Sequence, residues 1–177
     1  MNSIGVHLGR FAPYHRGHEK LTRMIIDKHG MAHTLVLIGS SNRFRADTPY
    51  TFAARVDMIR ATFPDIQILP LPDSPCSTVK DTYTEAGMSD WLQSLKDLER
   101  SFGLAFTFYS GDTEDIAYLA PLFATEPLTD RHATSNGLSA TQARQYLAEK
   151  NTEALRDMLP EASFSLAIQA YNNPQYS

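Results

Sequence analysis

The sequence holds a single cysteine, Cys76, among 177 residues. No disulfide can therefore form within the chain and no thiolate cage for a metal is available, which fits a reducing cytoplasm. Cys76 itself reads as a tolerated small residue in a loop rather than a nucleophile. Long apolar runs are also missing: none approaches the roughly 20 residues that a membrane span needs. The first residues lack the basic-then-apolar pattern of a secretory signal, so the protein is expected to remain where it is made, with no membrane partner. Positive charge is in deficit as well. A net charge of -4 and an isoelectric point near 5.8 leave no global attraction for nucleic acid or an anionic surface, so any anion must be held by local groups.

What is present is ordinary in amount and ordered in pattern. An apolar share of 42% and a charged share of 20% argue against a disordered or fibrous chain. The length suits one domain, 1-177, with a core over about 1-150 and a helical segment over 151-177. Ile4 to Leu8 reads as a strand, followed by a polar loop and a helix from about Gly17 to Lys28 with Leu21, Met24 and Ile25 as its buried stripe. HTLVLIGS is a continuous apolar run, as expected of a strand buried on both faces of a parallel sheet. Phe52, Val56, Ile59 and Phe63 then recur at helical spacing, and IQILPL is a third strand.

The stretch Leu71 to Gly87 has no periodicity and is rich in proline, serine and threonine, as functional or mobile loops often are. Beyond it, Ser89 is a candidate N-cap for a helix whose apolar side is Trp91, Leu92, Leu95 and Leu98. LAFTFYSG is a fourth strand, EDIAYLAPLF a short helix interrupted at Pro121, and FATEPL a weak fifth strand; two or three helices close the chain. Alternating strands and helices predict an α/β fold: a doubly wound, Rossmann-like, mostly parallel sheet of about five strands with C-terminal helices. Its ligand should lie at the carboxyl ends of the strands.

Chemistry concentrates where the first strand gives way to the first helix, in GRFAPYHRGH. Gly9 permits a sharp turn and Gly17 a close approach at the helix start, where exposed N–H groups favour an anion. His15 and His18 flank that position. With no carboxylate or cysteine beside them they make a poor zinc site, and by spacing alone they read as helix-capping residues. Arg10, Arg16, Arg43, Arg45 and Arg55 all fall in the first third of the chain. Arginine presents a planar fork to phosphate oxygens, although surface charge is its ordinary role.

The string Gly9-Arg10-Phe11-x-Pro13-x-His15-x-Gly17-His18 resembles the signature of the nucleotidyltransferase superfamily that carries an HxGH element. Its form is most similar to nicotinamide mononucleotide adenylyltransferases of the archaeal type and to the related domains fused to Nudix hydrolases. LSATQAR, Leu138 to Arg144, resembles the second motif of that family, ISxTxxR. Gly39 to Ile59 is similar to a further family stretch, with Arg55 at its arginine, and Trp91 sits like the tryptophan that stacks on the nicotinamide ring. The chain departs from the pattern at Thr48-Pro49-Tyr50, where the family has Asn-Pro-Phe, and at Ala54, where it has glutamate. No Nudix motif is present in these 177 residues.

The resemblance implies transfer of the adenylyl group of ATP to nicotinamide mononucleotide, giving NAD and pyrophosphate, with Mg2+ bound mainly through the ATP phosphates. It implies catalytic roles for His15, His18 and Arg144, and ATP contacts from Gly9, Arg10, Phe11, Gly17, Ser139 and Thr141. Arg43, Arg45, Arg55 and Trp91 would serve the acceptor, with surface charge and core packing as their alternatives. Asp112 and Asp115 are candidates for a ribose hydroxyl or for a solvated turn, and His132 reads as surface. Other phosphorylated acceptors remain open: phosphopantetheine, a flavin nucleotide, or a sugar or alcohol phosphate, with CTP as an alternative donor. So does a nucleotide-binding sensor without turnover. Family members are often multimeric, which leaves a homo-oligomer open.

Overall fold

The computed structural model describes residues 3-73, 85-111, 113-126 and 138-173. Cys76, Asp112, His132 and most of the 71-87 stretch lie outside the described residues. The elements are β1 (Ile4–Gly9), α1 (Arg16–His29), a short 3-10 turn (Met31–His33), β2 (Thr34–Gly39), α2 (Phe52–Thr62), β3 (Gln67–Leu71), α3 (Glu85–Phe102), β4 (Phe106–Tyr109), α4 (Thr113–Leu119) and β5 (Ala124–Thr125). Three helices follow: α5 (Ala140–Ala148), α6 (Thr152–Met158) and α7 (Glu161–Asn172).

The five strands are all parallel, in the order β3-β2-β1-β4-β5. The strand order therefore reverses between β1 and β4, and an α/β sheet opens a crevice at the carboxyl ends of strands flanking such a point. Residue alternation along β2 sends Val36 and Ile38 into one core and Leu35 and Leu37 into the other. That double burial is why β2 reads as an uninterrupted apolar run. The first core is shared with α2 and the C-terminal helices, the second with α3 and α4.

On β1, Ile4, Val6 and Leu8 join the second core, while Gly5 and His7 face α1. Helix α1 lies so close to the strand that a Cβ on Gly5 would sit 2.5 Å from Ile25 Cγ2 and 2.6 Å from the His29 ring. The buried stripe of α1 differs from the sequence reading. Leu21 and Ile25 are buried, but Met24 is 47% exposed and Thr22 is buried instead. The helix turns its face toward Thr22 because that hydroxyl has partners in the interior. Ser89 is likewise not an N-cap: α3 begins four residues earlier, at Glu85, and Ser89 lies one turn inside it.

The C-terminal helices are part of the first core, to which they contribute Leu155, Met158, Leu159 and Ala167. Tyr50 Oη donates to the carbonyl of Ala167 (3.1 Å) and Arg16 donates to the carbonyl of Arg156 (3.2 Å), tying α7 to the α2 entry and α6 to the start of α1. Among the described residues no helix is long and apolar enough to cross a membrane.

Candidate active site

A cavity of about 350 Å³ opens at the carboxyl ends of the strands, where the strand order reverses. Its floor is Leu8 and Gly9 from β1, Gly39 and Ser40 from β2, and Ser110 and Gly111 after β4.

The chain leaves β1 at Gly9, where a Cβ would lie 3.0 Å from the Phe11 ring, so glycine makes room for that ring to fold back. Phe11 has φ 52, in the left-handed region, which costs an L residue about 1–2 kcal/mol. Packing offsets the strain: the ring is buried and meets His7 and His18 edge-on, each at 4.9 Å. The following Ala12–Pro13 peptide is cis.

His15 is the N-cap of α1. Its Nδ1 accepts from the N–H groups of Gly17 (3.1 Å) and His18 (3.3 Å), while its own N–H donates to His18 Nδ1 (3.2 Å). This is a capping box built from two histidines, whose rings stack with centroids 3.6 Å apart. The arrangement decides both tautomers. An Nδ1 that accepts a backbone N–H carries no proton, so each neutral ring holds its proton on Nε2. Both residues line the cavity. Their Nδ1 lone pairs are already committed to backbone amides, so the pair is set to receive an anion rather than to ligate a cation. Among the described residues no group of three His, Cys, Asp or Glu could hold a metal ion.

The opposite wall comes from the far end of the sequence: Leu138, Ser139, Ala140, Thr141 and Arg144. Ser139 caps α5 by accepting from Gln142 N–H (3.1 Å). Arg144 donates to the Ala12 carbonyl (2.8 Å) and to Thr141 Oγ1 (3.0 Å), which fixes its guanidinium beside the Phe11 turn. Burial lowers the proton affinity of Arg144, the charge of Arg10 lowers it further, and Asp47 acts in the opposite sense. Arg10 also lines the cavity, paired with Asp47 at 3.1 Å. Burial alone would raise the Asp47 carboxyl, but the hydrogen bond and charge of Arg45 and the charge of Arg10 outweigh it and hold the group below the usual carboxylate range.

Three expected acceptor contacts are revised. Arg55 is fully buried and does not line the cavity. Its guanidinium donates to the carbonyls of Thr51 (3.3 Å), Arg10 (3.1 Å), Gly39 (2.9 Å) and Ser40 (3.1 Å), binding together the ends of β1 and β2. Burial pulls its pKa down to about 10, with Asp73 acting against that. Arg43 pairs with Asp73 (3.0 Å) and Arg45 with Asp47 (2.6 Å), and neither lines the cavity. The carboxylates they hold do line it. Trp91 does two things at once: it packs against the second core and lines the cavity, next to Met88. Gly17 lines the cavity too, and Asp115 lines it while accepting from Ser110 Oγ (3.1 Å).

Several site residues escaped the sequence reading. Asp47, Asp73 and Tyr118 line the cavity, and His7 lies behind the histidine pair, its ring 6.0 Å from that of His18. His7 is buried, and its Nδ1 lies 2.9 Å from Thr22 Oγ1. Burial, followed by the charge of His15, pulls its pKa from 6.5 down to about 3. The unfolded chain then binds a proton between those values that the folded chain refuses, so His7 costs stability as pH falls from 6.5 toward 3. The slope is about 1.4 kcal/mol per pH unit. Urea unfolding at pH 7 and pH 5 should show this loss, reduced in His7→Leu; equal pH slopes in the two proteins would contradict it.

No family model matches the chain. It is 34% identical over 79 residues to the nicotinamide-nucleotide adenylyltransferase of Saccharolobus solfataricus, a match covering 40% of this chain and 45% of that protein. Among solved structures it is similar to NadR in complex with NAD and AMP-PNP, with 25% identity and a TM-score of 0.61 over 86% of this chain and 44% of that one. It is also similar to a bifunctional NMN adenylyltransferase/ADP ribose pyrophosphatase from Francisella tularensis, complexed with AMP and a manganese ion. There the identity is 17% and the TM-score 0.67, over 99% of this chain and 51% of that one. The chain thus spans about half the length of these proteins. Both kinds of comparison support the resemblance to nucleotidyltransferases, and the fold is shared with the two solved structures.

Proposed function

We propose that the chain transfers the adenylyl group of ATP to nicotinamide mononucleotide, giving NAD and pyrophosphate. One observation carries this reading: two motifs more than a hundred residues apart line one cavity at the point where the strand order reverses. His15, His18, Arg10 and Arg144 supply donors there, and Trp91 supplies an aromatic face. In the reaction an oxygen of the acceptor phosphate attacks the α-phosphorus of ATP, and the bond from that phosphorus to the oxygen bridging the α- and β-phosphates breaks. That oxygen leaves with pyrophosphate. The attacking phosphate is already anionic at neutral pH, so neither a covalent enzyme intermediate nor a strong base is required.

What the protein must do is position the two nucleotides and stabilise charge. The Nε2–H groups of His15 and His18 donate to the triphosphate, His18 at the α-phosphate where charge grows. Arg10 and Arg144 neutralise phosphate oxygens, the Ser139 and Thr141 hydroxyls donate at the start of α5, and the backbone from Gly9 to Phe11 and at Gly17 closes the cradle. Magnesium, held mainly by the ATP phosphates, would supply charge neutralisation at the triphosphate. Such an ion would keep much of its water and bind substrate oxygens, which fits a wall where two of the four lining carboxylates, Asp47 and Asp73, are committed to arginines. The cytoplasm is the compartment proposed.

Pyrophosphate release from ATP across a panel of acceptors at matched magnesium tests the proposal. Release with nicotinamide mononucleotide supports it, and release only with another phosphate monoester overturns the acceptor. No release with any acceptor favours a nucleotide sensor. Trp91 is the single tryptophan of the chain, so its emission reports on the acceptor side directly. Nicotinamide mononucleotide should quench it saturably, through stacking of the electron-poor ring, and Trp91→Phe should raise the acceptor KM more than the ATP KM. Emission insensitive to saturating acceptor would remove Trp91 from the binding site.

A further inference from the structure

We propose that His7 is a positioning residue for His18, acting from the layer behind the cavity through Thr22 and Phe11. This deepens the nucleotidyl-transfer reading and rests on it. The Thr22 hydroxyl donates to the carbonyl of His18 (2.9 Å), which uses its one proton. It lies 2.9 Å from His7 Nδ1 and 2.9 Å from Tyr14 Oη, so both of those groups must be donors and the hydroxyl is saturated. His7 is thereby fixed with its proton on Nδ1, the reverse of His15 and His18. Its pKa of about 3 agrees with a ring that stays neutral.

The second link is through rings. His7 meets the Phe11 ring edge-on at 4.9 Å and 88°, and Phe11 in turn meets His18 at 4.9 Å and 74°. Tyr14, the other donor to Thr22, stacks on His18 at 5.6 Å. Two of the rings that touch His18, those of Phe11 and Tyr14, are therefore groups that His7 holds, directly or through Thr22. Phe11 depends on this packing especially, since its backbone is in the left-handed region. Without the His7 donor and edge, the His18 ring, which lines the cavity, gains freedom, and a misplacement of about 1 Å at a reacting centre can cost about 10²-fold in rate.

The test compares His7→Leu, which keeps bulk and loses the donor, with His7→Asn, whose side-chain N–H sits where Nδ1–H does. In the 177-residue chain with ATP, nicotinamide mononucleotide and saturating magnesium, His7→Leu should lower kcat about 10–100-fold while the ATP KM stays within about threefold. His7→Asn should recover kcat to within about fivefold of the parent. Carbon-13 relaxation of the His18 ring should show a rigid ring in the parent and a more mobile one in His7→Leu, with the Nε2–H tautomer kept in both by the bond from the His15 N–H. If His7→Leu does not fold, Thr22→Val is read in its place, with Thr22→Ser as the rescuing variant.

A parent-like kcat in the donor-deleting variant overturns the proposal, as does a loss that the donor-restoring variant fails to recover. If the parent releases no pyrophosphate with any acceptor, nucleotidyl transfer falls, and the ring relaxation alone decides the role of His7. Unchanged mobility of the His18 ring in His7→Leu then overturns it, and raised mobility supports it.

Discussion

His18→Ala is expected to stay folded and to lose about 10²–10³ in kcat, the usual cost of removing one donor aimed at a developing oxyanion. The substitution deletes two things. One is the Nε2–H offered to the α-phosphate, and the other is the Nδ1 that accepts from the His15 N–H at 3.2 Å. Losing the second weakens the start of α1 by about 1 kcal/mol, a typical capping contribution. His18→Asn separates the two, because its side-chain oxygen can still accept at the cap but no donor reaches the cavity. It should therefore unfold in urea close to the parent and be nearly as inactive as His18→Ala. Parent-like pyrophosphate release by either variant would refute the assigned role.

Arg55→Ala should be among the most damaging single changes to the fold, lowering stability by at least about 2 kcal/mol. An unsatisfied buried acceptor costs about 1–3 kcal/mol; of the four carbonyls Arg55 serves, those of Thr51 and Ser40 keep the N–H groups of residues 55 and 43, and those of Arg10 and Gly39 lose their guanidinium donor. Such a loss is a sizeable part of the roughly 5–15 kcal/mol available to a domain. Arg55→Lys should rescue little, since an ammonium places its donors at one point and cannot span carbonyls at the ends of two strands. Molecules that still fold should keep the parental acceptor KM. The opposite result, full stability with a raised acceptor KM, would return Arg55 to the acceptor site where the family pattern first placed it.

That arginine also shows where a sequence stops being readable. His15, His18, Ser139 and Arg144 stand in short linear strings with fixed spacing, and the cavity lines up with those strings. The central strands were equally legible, because double burial writes an apolar residue at nearly every position of β2. The partners of Arg55 are main-chain carbonyls, which leave no trace in a side-chain pattern, so a fully buried clamp looks identical to a substrate arginine. Met24 and Thr22 exchanged places for a related reason: hydropathy favours the methionine, whereas the interior rewards a hydroxyl with three partners. His7 had one available signal. Alternation along β1 sets it on the face opposite Ile4, Val6 and Leu8, where a titratable residue on a central strand needs a polar neighbour on the covering helix.

The bond between Arg144 and the Ala12 carbonyl closes a loop of 132 residues. A ribosome delivers the amino-terminal half of this site first and, at about 5–20 residues per second, takes on the order of 10 s to supply the arginine. Until then the stacked histidines face open water, and the newborn chain has a phosphate-facing helix start with no opposing wall. Nucleotide bound after that moment would favour the completed form by mass action. The wall that completes the site is therefore made late, ahead of helices α6 and α7 and the core residues they carry.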